Sequence, residues 1–201
     1  MPFIRTIAPA NADGPALELY NQVQAEQGQI PNWAQAFSLR PTVRSGWVSL
    51  LKSIRENLST RRYELVTLAA ARALGSSYCS LAHGQVLAEK VFDPQTVTSI
   101  VRGDDSGVLE PGELAMMAFA EKVVRNADRV TQSDVDALRA HGFSDEEIFD
   151  IAAATAARCF FSKLLDALGV QADARFHALD PELRETLTVG RPVETTTTPP
   201  S

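Results

Sequence analysis

Three observations predict an all-α fold. Proline recurs where a helix would open, and glycine recurs where one would close. Between these marks the apolar residues follow a three-and-four spacing, and no stretch alternates with the β-branched enrichment of a strand. Taken in order, Pro15 opens a helix that Gly28 closes, and Pro41 opens one running to about Asn57. Ser59 can cap a third, which carries Leu65, Leu68, Ala69 and Leu74 and ends near Gly75. Gly75-Ser76-Ser77 breaks the chain, so a new helix should begin near Tyr78. Asp93-Pro94 opens a short helix closed by Gly103, and Pro111 opens one running to about Arg125. Ser144 with Glu147 three residues on is a capping box for a long helix ending near Gly169. Asp180-Pro181 starts the last, short helix.

Composition sets the bounds. The chain has 201 residues, of which 45% are hydrophobic and 22% charged, which suits one domain with a core that needs no disulfides. A domain over residues 1–187 is expected, followed by a disordered tail over 188–201, because Thr195-Thr196-Thr197-Thr198-Pro199-Pro200-Ser201 and its approach lack apolar periodicity. Gly103-Asp104-Asp105-Ser106-Gly107 reads as a flexible acidic connector between two halves. The halves echo each other: Glu64 to Ala71 lines up with Glu147 to Ala154, although alanine-rich helices also resemble one another by chance. A net charge of −6 argues against nucleic acid and anionic membrane as partners. No apolar run approaches the roughly 18 residues of a membrane span, and Met1-Pro2-Phe3-Ile4-Arg5 does not read as a signal peptide. With two cysteines, a reducing cytoplasm is the expected compartment.

The chemistry concentrates between Leu58 and Leu87. Glu64 shares a helix face with Thr67, Leu68 and Ala71, an unusual place for a carboxylate unless it finds a partner or reaches water. Pairing with Arg61 is the plain structural explanation. Cys79 should lie in the first turn of the next helix, where unpaired backbone N–H groups favour an anion. His83 follows four residues later on the same face, placed to stabilise a thiolate or to move a proton.

The run Glu64-x3-Leu68-x3-Arg72-x6-Cys79-x3-His83 resembles the signature of the alkylhydroperoxidase D-like, or carboxymuconolactone decarboxylase, family. Its peroxidase-related branch is the nearer likeness. Gly28-x-Ile30-Pro31-Asn32 resembles an early loop of those proteins, and Glu113 to Gly169 resembles their second helical half. The resemblance implies an alkylhydroperoxidase D-like helical fold, self-association into a homo-oligomer, and no metal or organic cofactor. It also implies a Cys-x-x-Cys pair, and here the chain departs from it: the pair reads Ser76-Ser77-Tyr78-Cys79. The matching cysteine is the one that attacks peroxide in the family, while the one that closes the disulfide is replaced by Ser76. Tyr78 stands where the family carries a further histidine.

Together these features predict a thiol-dependent hydroperoxide reductase. Cys79 is the expected nucleophile, His83 the proton shuttle and Glu64 its orienting partner, with Ser76 and Tyr78 at the edge of the site. A small hydroperoxide and an external thiol reductant are the expected partners, since Ser76 cannot resolve a sulfenic acid. The alternatives are a decarboxylase-like acid–base enzyme using Glu64 and His83, and a helical oligomer without catalysis. Cys159, in Ala156-Ala157-Arg158-Cys159-Phe160-Phe161, is expected to be a buried core residue. His141, just before Gly142, reads as a helix C-terminal residue, and His177 as peripheral. Trp33, Phe37 and Trp47 lie at helical spacing and read as core before pocket. No zinc-ligand spacing and no glycine-rich phosphate loop is present.

Overall fold

The computed structural model of the chain describes residues 2–104 and 107–195. Among these, all regular structure is helical and no strand occurs. The helices are α1 (Gly14–Gln27), α2 (Asn32–Phe37), α3 (Pro41–Arg55), α4 (Thr60–Ala73) and α5 (Ser77–Lys90), then α6 (Pro94–Arg102), α7 (Pro111–Asn126), α8 (Gln132–Ala140), α9 (Asp145–Ala167) and α10 (Pro181–Leu187). The proline and glycine punctuation holds. Prolines occupy the first turn of α1, α3, α6, α7 and α10, and Gly28 and Gly103 close α1 and α6 in the left-handed conformation. The Ser144–Glu147 capping box is formed at the head of α9.

Two helices are not delimited by that punctuation. At six residues, α2 is too short to show a period. The mostly polar α8 announces itself only through the Thr131–Asp134 capping box. His141 caps its end, as expected of a helix C-terminal residue.

The architecture is built around α4. Every residue from Tyr63 to Ala71 is buried, and α4 packs against α5, α7 and α9. A helix covered on all sides belongs at the centre of a core. Each fully buried leucine or valine there, such as Leu65, Val66 and Leu68, contributes roughly 1.5–3 kcal/mol relative to exposure. Arg61 reaches from α4 to α7, its Nε 2.6 Å from Glu113 Oε1 and its Nη2 2.7 Å from Oε2. That two-pronged pair holds the Glu113 carboxyl below the usual range against the opposing effect of burial. It also commits Arg61 elsewhere, so the pairing with Glu64 considered from sequence does not occur.

Gly75 makes the turn from α4 to α5 with φ +71°, a conformation that a side chain disfavours. On α5, Gly84 lets α10 approach so closely that a Cβ there would overlap Leu187.

One expectation is corrected. The segment from Thr188, read as the start of a disordered tail, is packed as far as Glu194. Gly190 N–H donates to Ser77 Oγ at 2.7 Å, Glu194 N–H donates to Ala172 O at 2.9 Å, and Val193 is buried. Its sequence lacks a period because it runs as an extended strap over the α4–α5 turn, with no helical face to advertise. The remainder of that tail, 196–201, and Asp105 and Ser106 of the connector lie outside the described residues. The echoing segments Glu64–Ala71 and Glu147–Ala154 lie on α4 and α9, which pack directly on each other.

Candidate active site

The break at Gly75 points α5 back along α4, and this hairpin carries the three residues singled out by the sequence. Cys79 is the third residue of α5, in its first turn, and is 2% exposed. Ser76 precedes the helix as its N-cap residue. It is fully buried, and its side chain does not cap the helix. One turn beyond Cys79, His83 Nδ1 lies 2.5 Å from Glu64 Oε2, so the two helices are joined by a direct carboxylate–imidazole contact. The partner that Glu64 needed on its apolar face is His83.

Burial lowers the pKa of His83, and the nearby Arg158 cation lowers it further; together they outweigh the raising effect of Glu64. A neutral imidazole held in this way carries its proton on Nδ1, donates it to the Glu64 carboxylate and leaves Nε2 as an acceptor.

Arg158 is a residue that the sequence reading passed over. It projects from α9 and is only 3% exposed, with Nη1 3.6 Å from Cys79 Sγ and Nη2 3.5 Å from Tyr63 Oη. Burial works against its charge, but the facing Cys79 and Tyr63 outweigh it and raise the pKa. The signal was available. Arg158 lies on the same face as Ile151, Ala154, Phe161 and Leu165, all buried, so it is a charged residue on an apolar stripe just as Glu64 is. Its neighbours Ala156-Ala157 and Cys159-Phe160 disguise that stripe.

A cavity of about 1030 Å³ opens over these groups, lined by Glu64, Tyr78, Cys79, His83 and Arg158 on its inner side. Trp33, Trp47 and Phe161 form an aromatic wall, with the Trp47 and Phe161 rings stacked at 4.3 Å between centroids. Trp33 and Trp47, expected as core, therefore serve as cavity wall as well. Phe37 is core, stacked behind them on Phe161. Tyr78 lines the cavity but spends its hydroxyl elsewhere. It donates to Asp173, and the same oxygen lies 3.4 Å from the Trp33 backbone N–H. Burial and the adjacent Asp173 push the Tyr78 phenol well above its ordinary value. Tyr78 thus positions Trp33 and, through Asp173, the Asn32 backbone N–H, which donates to the same carboxylate at 2.6 Å.

Cys159 departs from expectation in one respect. It is half-buried instead of fully buried, because its position on α9 is rotated one residue from the inward stripe of Arg158. Burial still raises its thiol pKa, against the opposing effects of Lys163 and Arg158. Both cysteines are free thiols. Among the described residues no group of three or more His, Cys, Asp or Glu side chains is arranged to hold a metal ion, and no helix is long and apolar enough to cross a membrane.

Comparison with known proteins bears on the fold. Residues 41–122, which include Glu64, Cys79 and His83, match the carboxymuconolactone decarboxylase family model. No curated protein matches the chain. Among solved structures, the alkylhydroperoxidase AhpD core of an uncharacterized peroxidase-related protein from Ralstonia eutropha JMP134 superposes with a TM-score of 0.76 at 23% identity, covering 94% of this chain and 98% of that one. A peroxidase-related protein from Silicibacter sp. TM1040 gives 0.75 at 23% identity, over 88% and 96%. A cysteine-to-alanine variant of the debrominase Bmp8, in complex with 2,3,4-tribromopyrrole, gives 0.71 at 20% identity, over 93% and 98%. Residues 41–122 of this chain thus match the carboxymuconolactone decarboxylase family model, and the chain as a whole has the helical fold of the alkylhydroperoxidase D core.

Proposed function

We propose that this protein reduces an organic hydroperoxide at Cys79, with His83 and Glu64 as proton relay and an external thiol as reductant. The observation that carries the reading is the convergence of a carboxylate, an imidazole, a guanidinium and a thiol on one cavity: Glu64 against His83 at 2.5 Å, and Arg158 Nη1 at 3.6 Å from Cys79 Sγ. A sulfur anion at that place meets the N–H groups of the first turn of α5 and the Arg158 guanidinium. The Cys79 thiol gives its proton to His83 Nε2. The thiolate then attacks the terminal oxygen of R–O–OH, and the O–O bond breaks. Sulfur is oxidised by two electrons to Cys79–SOH, and the departing alkoxide takes the proton back from His83 as ROH. One external thiol condenses with the sulfenic acid, releasing water and leaving a mixed disulfide; a second attacks the external sulfur of that bond, releasing the Cys79 thiol and an external disulfide.

Intact-mass analysis after one equivalent of cumene hydroperoxide tests this. The expected product is one oxygen added at Cys79, removed by a small thiol, with slow turnover when that thiol is in excess. A Ser76→Cys variant should replace the added oxygen with a 76–79 disulfide and turn over with a dithiol. Loss of peroxide at an undiminished rate in Cys79→Ser would sink the reading.

A second reading draws support from the Glu64–His83 contact itself, which suits acid–base chemistry as well, and from the family model matched by residues 41–122. In that case the pair moves a proton on an unsaturated lactone acid, and Cys79 only lines the pocket. The 2,3,4-tribromopyrrole bound to the debrominase supports a small planar organic molecule as an occupant of a site in this fold. Activity that survives Cys79→Ser but not His83→Ala would favour the second reading.

A further inference from the structure

On α3, Arg44 and Trp47 stand one turn apart and face Arg158 of α9 across the same cavity. Both guanidiniums lie by the Trp47 ring, 5.3 Å from its centroid for Arg44 and 5.7 Å for Arg158. Arg44 also sits 4.7 Å from the Trp33 ring. Four buried nitrogen donors of this cluster have no acceptor among the described residues: Arg44 Nε and Nη1, Trp47 Nε1 and Arg158 Nε. Buried donors almost always find partners, and leaving charged ones without any is costly. The cost shows in Arg44, whose pKa burial lowers, with Glu26 only partly compensating. Glu64, the carboxylate on the inner wall, is already engaged by His83. In a chain of net charge −6, these are cationic donors kept open around an aromatic wall.

We propose that Arg44, Trp47 and Arg158 form a carboxylate-binding subsite, and that the substrate of Cys79 is accordingly the hydroperoxide of an apolar carboxylic acid. The second half of this statement rests on the peroxidase reading above; the first does not. A carboxylate offers two oxygens with about four lone pairs, enough to give each of the four orphaned nitrogens an acceptor. The apolar body of the acid would lie against Trp33, Trp47 and Phe161. Because Arg158 also donates to Cys79 Sγ, the anion is anchored by the same guanidinium that faces the reacting sulfur.

The only two tryptophans of the chain, Trp33 and Trp47, both line the cavity, so their fluorescence reports occupancy without any turnover. Titration of wild-type and Cys79→Ser protein with 4-phenylbutyrate should give a saturable change. Its Kd should be about 10–100-fold lower than that of the neutral 4-phenylbutyramide, the range expected for charge-assisted hydrogen bonds. Arg44→Gln should abolish that preference, and Arg158→Lys should weaken it. Equal affinity for acid and amide, or an acid preference that survives both variants, overturns the subsite. Inorganic phosphate binding as tightly as 4-phenylbutyrate overturns the apolar acid as substrate. A Cys79 inert to peroxide alongside intact 4-phenylbutyrate binding would fail the peroxidase reading and leave the subsite standing.

Discussion

Two parts of this molecule carry local sequences that faintly echo each other and use them differently. On α4 a glutamate precedes an alanine-rich apolar run, and on α9 another does the same. Glu64 sits in the second turn, 4% exposed, and is met by His83 from α5. Glu147 sits in the first turn of its helix, where it accepts the Ser144 backbone N–H at 2.9 Å and pairs with Arg62 at 2.6 Å, partly open to solvent. The one carboxylate is buried toward a cavity, and the other closes a helix end. The cysteines divide in the same way. Cys79 lies at a helix start facing a buried guanidinium, whereas Cys159 lies mid-helix, half-buried, with its thiol pKa raised by burial. Residue type and spacing alone do not separate these pairs. The break at Gly75 does, because it brings a second helix back over the first.

The most severe way to break the comparison is to remove each thiol in turn. Cys79→Ser should abolish peroxide consumption, and Cys159→Ser should leave it within about twofold of wild type, since a thiol with a raised pKa supplies little thiolate near neutrality. Stopped-flow peroxide loss and peptide mapping after alkylation measure both. A Cys79–Cys159 bridge after peroxide treatment would erase the distinction and make Cys159 the resolving thiol.

Next in size is the relay. His83→Ala should slow the reaction by roughly 10²–10⁴-fold, the usual worth of a positioned acid–base group. It should do so with Cys79 still open to alkylation. An unchanged rate would reduce the Glu64–His83 contact to a structural one.

A milder change tests the other glutamate. Glu147→Ala removes the return half of the capping box and an ion pair that solvent already weakens, so about 1 kcal/mol of stability is at stake, roughly 2–4 °C in Tm. Peroxide consumption at a temperature well below the transition should not change. If it fell, the two carboxylates would be less distinct in role than their settings imply.

Much of this is legible in the sequence. Pro15, Pro41, Pro94, Pro111 and Pro181 marked helix starts because a missing N–H costs nothing there, and a buried glutamate with a cysteine and histidine one turn apart pointed to the site. Arg158 was not read, because Ala156-Ala157 and Cys159-Phe160 hide its inward stripe. Arg44 was not read either, because its importance comes from which donors stay unpaired after α3 and α9 face each other. Such facts belong to packing between distant segments. The strap over 188–194 escaped for a related reason: it is held by hydrogen bonds to scattered partners such as Ser77, Ala172, Asn32 and Gln171 and by one buried valine, which leave no period in the sequence.

The smallest expected effect is the most specific to the site. The pKa of His83 in the folded protein lies below its ordinary value of 6.5, chiefly through burial and then through Arg158. The unfolded chain therefore binds more protons than the folded one as pH falls through that range, and stability must rise with pH there. The contribution of His83 is complete above about pH 6.5 and is lost as pH drops through the folded-state pKa. The wild-type Tm should accordingly fall more steeply between pH 6.5 and 5 than that of His83→Gln, which has no charge to acquire. Glu147→Ala should keep the wild-type slope, since nothing about that carboxylate acts through a histidine. Calorimetric scans across this range measure all three. Parallel curves for wild type and His83→Gln would mean that His83 titrates as it does in the unfolded chain, and the neutral imidazole required of the relay would lose its physical basis.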